Sequence, residues 1–225
     1  MPFHSCPDGS FAERFRPPIE AVRSMRPRPD AGRAPLPIVR IPLHHPLRTK
    51  AEACIRAVYA SAFDAYDVAL APLLVAYVGD GGQIHCAAGI RTAADGFFSE
   101  NYLDAPIERI LERSSWKSVD RRSIVEVSTL ASTSARLSPP FVQQIARFGR
   151  AAGFEWSIFT ATARLRRLLS GLGIPVVTLA VAERSRVAEP ERWGDYYMHA
   201  PHVCAVARQW LERSAATDRS ALPRG

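Results

Sequence analysis

Cysteine is scarce in this sequence, and the few cysteines are badly spaced for chemistry. They stand at positions 6, 54, 86 and 204 with no CxxC pair, so neither a disulfide framework nor a zinc site is expected. Long apolar runs are scarce too. The longest, VALAPLLVAYV at 68–78, is too short to span a bilayer and is interrupted by Pro72. The opening residues, MPFHSCPDGS, lack the basic start and apolar run of a secretory signal. A soluble cytoplasmic protein with no transmembrane segment is the expectation. Glycine-rich cradles are missing as well: there is no GxGxxG after a strand, no Walker loop and no GxSxG elbow. Acidic residues are outnumbered, 22 against 29 basic ones, for a net charge of +7 carried mainly by arginine. A basic balance favours phosphate groups, acidic carrier proteins, nucleic acid or anionic lipid without choosing among them. No stripe of interleaved aromatics accompanies the arginines, so nucleic acid is not an expected partner.

What is present is material for one substantial core. Hydrophobic residues make up 47% of the 225. Residues 1–34 are rich in proline and arginine and read as a flexible arm, with a short helix around Ile19 to Met25. Residues 214–225 read as a disordered tail. Between them, in a single domain at 35–213, helical and extended patterns alternate without an internal repeat. LPIVRIPL (36–43) reads as an edge strand, since its prolines cannot donate to a central ladder. A helix is expected at 50–67, a hairpin from 72–78 and 84–92 around GDGGQ, and a short amphipathic helix at 105–115. IVEVSTLAS (124–132) is a strand. Ser138 is the expected N-cap, and Pro139 stands in the first turn, of a helix that Gly153 ends. Then follow a strand at 154–162, a helix at 163–173, a strand at 174–182, the segment WGDYYMHAPHVCAV and a helix running to Arg213. A strand meander followed by strand–helix–strand–helix–strand predicts an α+β domain with a mixed sheet.

The strand at 124–132 raises the chemical question, because it carries a carboxylate in its middle. On an unbroken strand, residues 124, 126, 128, 130 and 132 share one face and Val125, Val127, Thr129 and Ala131 the other. Glu126 then faces a surface that is apolar but bears hydroxyls. Two readings stay open. In one, desolvation raises its pKa towards that of a general base. In the other, it is a structural carboxylate paired with Arg121, Arg122 or Arg91. Arg91 ends a strand with no other charge over CAAGI, and is either an anion-binding group at a cleft mouth or a surface guanidinium. His199, His202 and Cys204 make only a weak metal pattern, and no metal is expected. Trp193, Tyr196 and Tyr197 either line a pocket or cover a sheet edge.

Several segments together resemble the thermostable hemolysin family of bacterial proteins. They are AAGIRTA (87–93), ENYLDAPIE (100–108), IVEVSTLAS (124–132), WSIFTATARLRRLLSGLGI (156–174) and WGDYY (193–197). The likeness runs over about residues 36–210. The same stretches are faintly similar to acyl-homoserine-lactone synthases, which have a GNAT-like acyltransferase fold. In those enzymes a strand motif Glu-Leu-Ser-Arg carries a glutamate implicated as general base; here Glu126, Val127, Ser128 and Thr129 stand in its place. Arg91 falls where those synthases carry an arginine at a strand end. Thr129, in place of the motif's arginine, puts a homoserine-lactone product in doubt. TSARLSPPF stands where coenzyme A-dependent GNAT enzymes carry their glycine-rich pyrophosphate loop.

The resemblance implies a GNAT-like mixed sheet flanked by helices, and acyl transfer from a thioester to an amine such as an amino acid or its derivative. Glu126 would take the proton from the amine. Backbone N–H groups around Thr129, Leu130 and Ala131 would hold the oxyanion. Ser128, Trp156, Phe159, Thr160 and Thr162 would contact the substrates, as would Arg91, Trp193, Tyr196 and Tyr197. The missing loop and basic surface favour an acyl carrier protein over coenzyme A as thioester donor, with Arg147 and Arg150 as its contacts and no tightly bound cofactor. Two other classes stay open: a membrane-active haemolytic protein, and a catalytically inactive acyltransferase-like binding module.

Overall fold

The site is set by one sheet and by the place where two of its strands part. The computed structural model describes residues 37–209. The arm at 1–34 with its helix around Ile19, the tail at 214–225 and the end of the helix to Arg213 lie outside the described residues. Strands β1 (Ile38–Ile41), β2 (Leu73–Val78), β3 (Ile84–Arg91), β4 (Ile124–Ser132), β5 (Trp156–Ala161), β6 (Val177–Val181) and β7 (His202–Ala207) form a sheet in the order β1-β2-β3-β4-β5-β7-β6. All neighbours are antiparallel except β4 and β5. This is the expected α+β arrangement with a mixed sheet.

Helices α1 (Arg48–Phe63) and α2 (Ile107–Ser115) cover one face, and α3 (Ser138–Ala151) and α4 (Ala163–Gly171) the other. Helix α1 buries Ala51, Ile55 and Tyr59, spaced by one turn each, against Leu74, Ala76, Ala87 and Ala131. It stops at Asp64, in the left-handed region at φ 51°, rather than running on to 67. The buried Arg48 guanidinium fastens its start by donating to the carbonyls of Ala71 and Pro72. Thr162 caps α4 by accepting the Leu165 N–H.

The sequence pattern marks no strand after residue 182, yet HVCAVA forms β7 and slots between β5 and β6. Val203 to Ala207 are all buried, because a central strand is covered on both faces. Such a strand loses the period-2 alternation that would reveal it.

Strand β4 departs from regular alternation at Thr129. Ala87 and Gly89 of β3 are paired with Ala131 and Ser128, so β4 holds one residue more than its partner over this stretch. Thr129 takes up the excess with φ 45°, in the left-handed region, which makes a β-bulge. The bulge inverts the faces predicted for the rest of the strand. Leu130 packs with Val125 and Val127 towards α3 and α4, while Ala131 packs towards α1. Gly89 makes the close approach possible, since a Cβ there would lie 2.4 Å from Ser128 Oγ and 2.9 Å from the Ala71 Cβ.

Candidate active site

The parallel pairing of β4 and β5 is short. It begins at Ile124 opposite Trp156 and ends at Glu126 opposite Ile158. Beyond that point β4 runs on to Ser132 and β5 to Ala161 without pairing to one another. Glu126 therefore sits at the fork of the two strands, and the bulge at Thr129 lies just past it.

A cavity of about 340 Å³ opens between the parted strands. Its walls are mostly apolar: Val127 and Leu130 from β4, Phe159 from β5, Val142 and Ile145 from α3, and Leu168 from α4. Ser128, Thr129, Thr160 and Thr162 supply hydroxyls along it. Such a shape suits a long apolar ligand with one polar end. Ser138 and Arg164 line the cavity from the first turns of α3 and α4. Arg164 also borders an open surface groove that Lys50 and Cys54 of α1 share.

The Glu126 side chain is almost fully buried, at 1% exposure. It accepts hydrogen bonds from the Phe98 N–H at 2.6 Å, the Ser99 N–H at 2.8 Å and the Ser99 hydroxyl at 2.6 Å. Burial pushes its carboxyl above the ordinary carboxylate range, against the opposing pull of these donors and of the Arg91 charge. Ser99 Oγ also lies 3.1 Å from Thr160 Oγ1 on the opposite strand. Glu126, Ser99 and Thr160 thus form a hydrogen-bonded chain across the fork.

The single 3-10 segment Phe98–Tyr102 that brings these donors is itself anchored. Arg121 donates to both oxygens of Glu100 and to Glu108, and its guanidinium lies 4.6 Å from the centre of the Phe97 ring. Burial works against ionisation of Glu100, but Arg121 and the Ile107 N–H outweigh it and hold the carboxyl below its ordinary range. Arg122 pairs with Asp120. Neither arginine is thus a partner of Glu126, and of the three considered from sequence only Arg91, opposite Glu126 in the ladder, is beside it.

A second, enclosed space of about 30 Å³ lies on the other side of the fork, against Glu126, Arg91, Ser128, Thr129 and Thr160. Trp193 and Tyr196 close it, Tyr196 donating from its hydroxyl to the Thr160 carbonyl at 3.4 Å. They are pressed onto α1 because Gly194, at φ 54°, approaches so closely that a Cβ would meet the Phe63 carbonyl oxygen.

The structure therefore brings together Glu126, Arg91, Ser128, Thr129, Leu130, Phe159, Thr160, Thr162, Trp193 and Tyr196. Five sequence-derived candidates fall elsewhere. Trp156 lies in the paired part of β5 and packs with Phe97, Ile107 and Leu111 beneath α2, so it is no wall of the cavity. Ala131 is turned towards α1 by the bulge. Tyr197 hydrogen-bonds the Tyr102 hydroxyl at 2.9 Å and borders neither space. Arg147 and Arg150 lie in the last turns of α3, away from the end that carries Ser138. Among the described residues no three His, Cys, Asp or Glu side chains are grouped to hold a metal ion, and Cys204 is buried in the apolar layer beneath α4.

Phe98 and Ser99 went unmarked by sequence, because a donor that works through its backbone N–H leaves no signature in residue type. Tyr59, which borders both spaces, reads only as one apolar position of a helix.

The model of the thermostable hemolysin family matches residues 41–210, three quarters of the chain and all of the site. The chain belongs to the thermostable hemolysin family. No curated protein matches it in sequence. Among solved structures, this chain is similar to TofI in its apo form, with a TM-score of 0.53 at 13% identity over 80% of this chain and 97% of that one. It is similar to the AHL synthase LasI, with a TM-score of 0.51 at 12% identity over 76% and 87%. It is also similar to FeeM, an N-acyl amino acid synthase from uncultured soil microbes, with a TM-score of 0.51 at 14% identity over 77% and 98%. At these identities the likeness concerns the fold, which is the GNAT-like α+β architecture expected from the sequence.

Proposed function

We propose that this protein is an N-acyltransferase that moves an acyl group from an acyl thioester to an amine such as an amino acid. The single observation behind this reading is the fork itself. A buried, pKa-raised carboxylate stands where two strands part, and an apolar cavity begins at that point. The named neighbours LasI and FeeM, both acyl synthases, support the class.

In the proposed mechanism the acyl chain lies in the apolar cavity and its thioester carbonyl reaches the bulge. The backbone N–H groups of Thr129 and Leu130 are the oxyanion donors, since the bulge leaves these two residues between the paired positions Ser128 and Ala131. Glu126, directly or through a water, takes one proton from the acceptor ammonium. The amine nitrogen then attacks the carbonyl carbon. The carbon–nitrogen bond forms, the carbon–sulfur bond breaks, and the leaving thiolate takes the second proton from nitrogen. An acyl carrier protein is the favoured donor, because TSARLSPPF leads into α3 without a glycine-rich phosphate cradle.

Intact-mass detection of acylated amines tests the reading, with acyl-carrier and acyl-coenzyme A donors offered alongside a panel of amines. Transfer to an amine, faster from the carrier thioester, is expected. A protein that transfers nothing, yet releases dye from protein-free liposomes without a donor, would instead be directly membrane-active.

A further inference from the structure

Three side-chain polar atoms among the described residues are buried without a hydrogen-bond partner: Arg91 Nε, Ser128 Oγ and Thr129 Oγ1. All three residues border the same enclosed 30 Å³ space beside Glu126. An unsatisfied buried polar atom costs roughly 1–3 kcal/mol, so three converging on one small space mark a place where a ligand supplies the missing partners. Their chemistry is specific. One is a permanently cationic guanidinium, whose only hydrogen bond among the described residues is a long one, 3.3 Å, from Nη2 to the Leu70 carbonyl. The other two are hydroxyls, which can donate. Three donors around one point suit an anion, and the guanidinium suits a carboxylate best.

The same space carries a negative group. Arg91 and Glu126 are direct partners on adjacent antiparallel strands, which places their Cβ atoms about 4.5–5.5 Å apart on one face. A ligand bridging them needs a negative and a positive end at short range. A free α-amino acid has both, one carbon apart. A simple amine or an amino-acid amide lacks the negative end, and a space of about 30 Å³ favours the shortest ligand that carries both charges. The space is also joined to the apolar cavity through Ser128, Thr129 and Thr160, which border both. An amine held at Glu126 therefore faces the thioester side.

We infer that the acceptor is a free α-amino acid, its carboxylate held by Arg91 with the Ser128 and Thr129 hydroxyls and its ammonium turned towards Glu126. This rests on the acyltransferase reading for the identity of the other substrate. The carboxylate subsite itself is tested without catalysis.

Calorimetric titration of the full chain with the common α-amino acids, one at a time, is the direct experiment. At least one is expected to bind, and its amide and its decarboxylated amine to bind at least about 100-fold more weakly, the loss of a desolvated charge pair. Arg91→Gln is expected to abolish the preference for acid over amide, and Arg91→Lys to restore part of it, with unfolding temperatures recorded for both. Equal binding of acid and amide by the wild-type chain would overturn the inference, as would failure of every α-amino acid to bind. Acylation of carboxylate-free amines at undiminished kcat/KM would also overturn it while leaving acyl transfer intact. Binding of an α-amino acid with no transfer from any thioester would uphold the subsite and remove the proposed reaction instead.

Discussion

Glu126 is costly to hold in the charged form, and that cost has a sign that can be measured. Its folded-state pKa is raised above the ordinary 4.5, chiefly by burial. A group shifted this way contributes most to stability below its unfolded pKa, and the contribution is lost as pH rises through the folded value. In urea unfolding, the stability of the wild type relative to Glu126→Gln should therefore fall as pH is raised from about 4 to about 8. In acyl transfer the base must be ionised, so the acidic limb of the rate profile should lie above pH 4.5. A limb at or below that value, or a stability difference that does not change with pH, would contradict the assignment. The three donors at Phe98 and Ser99 make a protonated resting state less favourable than burial alone would. They also orient the carboxylate, which is why its neighbours matter as much as its own identity.

At the scale of elements, the active face of β4 depends on β3. Gly89 leaves room for Ser128, Thr129 and Ala71 to crowd onto β3, and nothing larger fits without displacing the Ser128 hydroxyl or the Ala71 methyl. Gly89→Ala should destabilise the protein by about 1–3 kcal/mol, read as a lowered unfolding temperature; an unchanged temperature would show that the close approach can relax. This is also where the sequence was least legible. The span of β4, the hairpin and, to within a residue, the start of α3 were readable from alternation and turn residues, although the cap position is Leu137 and not Ser138. The bulge was not, because Thr129 is an ordinary strand former and only the register with β3 shows the extra residue. Leu130 and Ala131 were consequently placed on the wrong faces. Trp156 was misplaced for a related reason: strand pattern reveals a face, not the point at which two strands stop pairing. β7 was hidden by burial on both sides. Glu126 was legible because a lone acid in an apolar strand is conspicuous. Its true partners were not, since two of the three donors are backbone groups.

Across the whole molecule, the two spaces at the fork divide two chemical tasks. The large apolar cavity opens by the first turns of α3 and α4, where Arg164 and the nearby Lys50 groove put positive charge. The small polar space lies on the α1 side beneath Trp193 and Tyr196. Glu126 lines the small space, which meets the cavity at Ser128, Thr129 and Thr160, and the proposed reaction requires a group of its kind there. The decisive measurement is the single-turnover rate of acyl transfer by wild-type and Glu126→Gln protein at saturating acceptor, with a cooperative unfolding transition well above the assay temperature in both as the control for folding. Transfer through Glu126 predicts a rate loss of about 10²–10⁴-fold in the variant, with acyl-thioester binding retained. Undiminished transfer by a folded Glu126→Gln protein would contradict it.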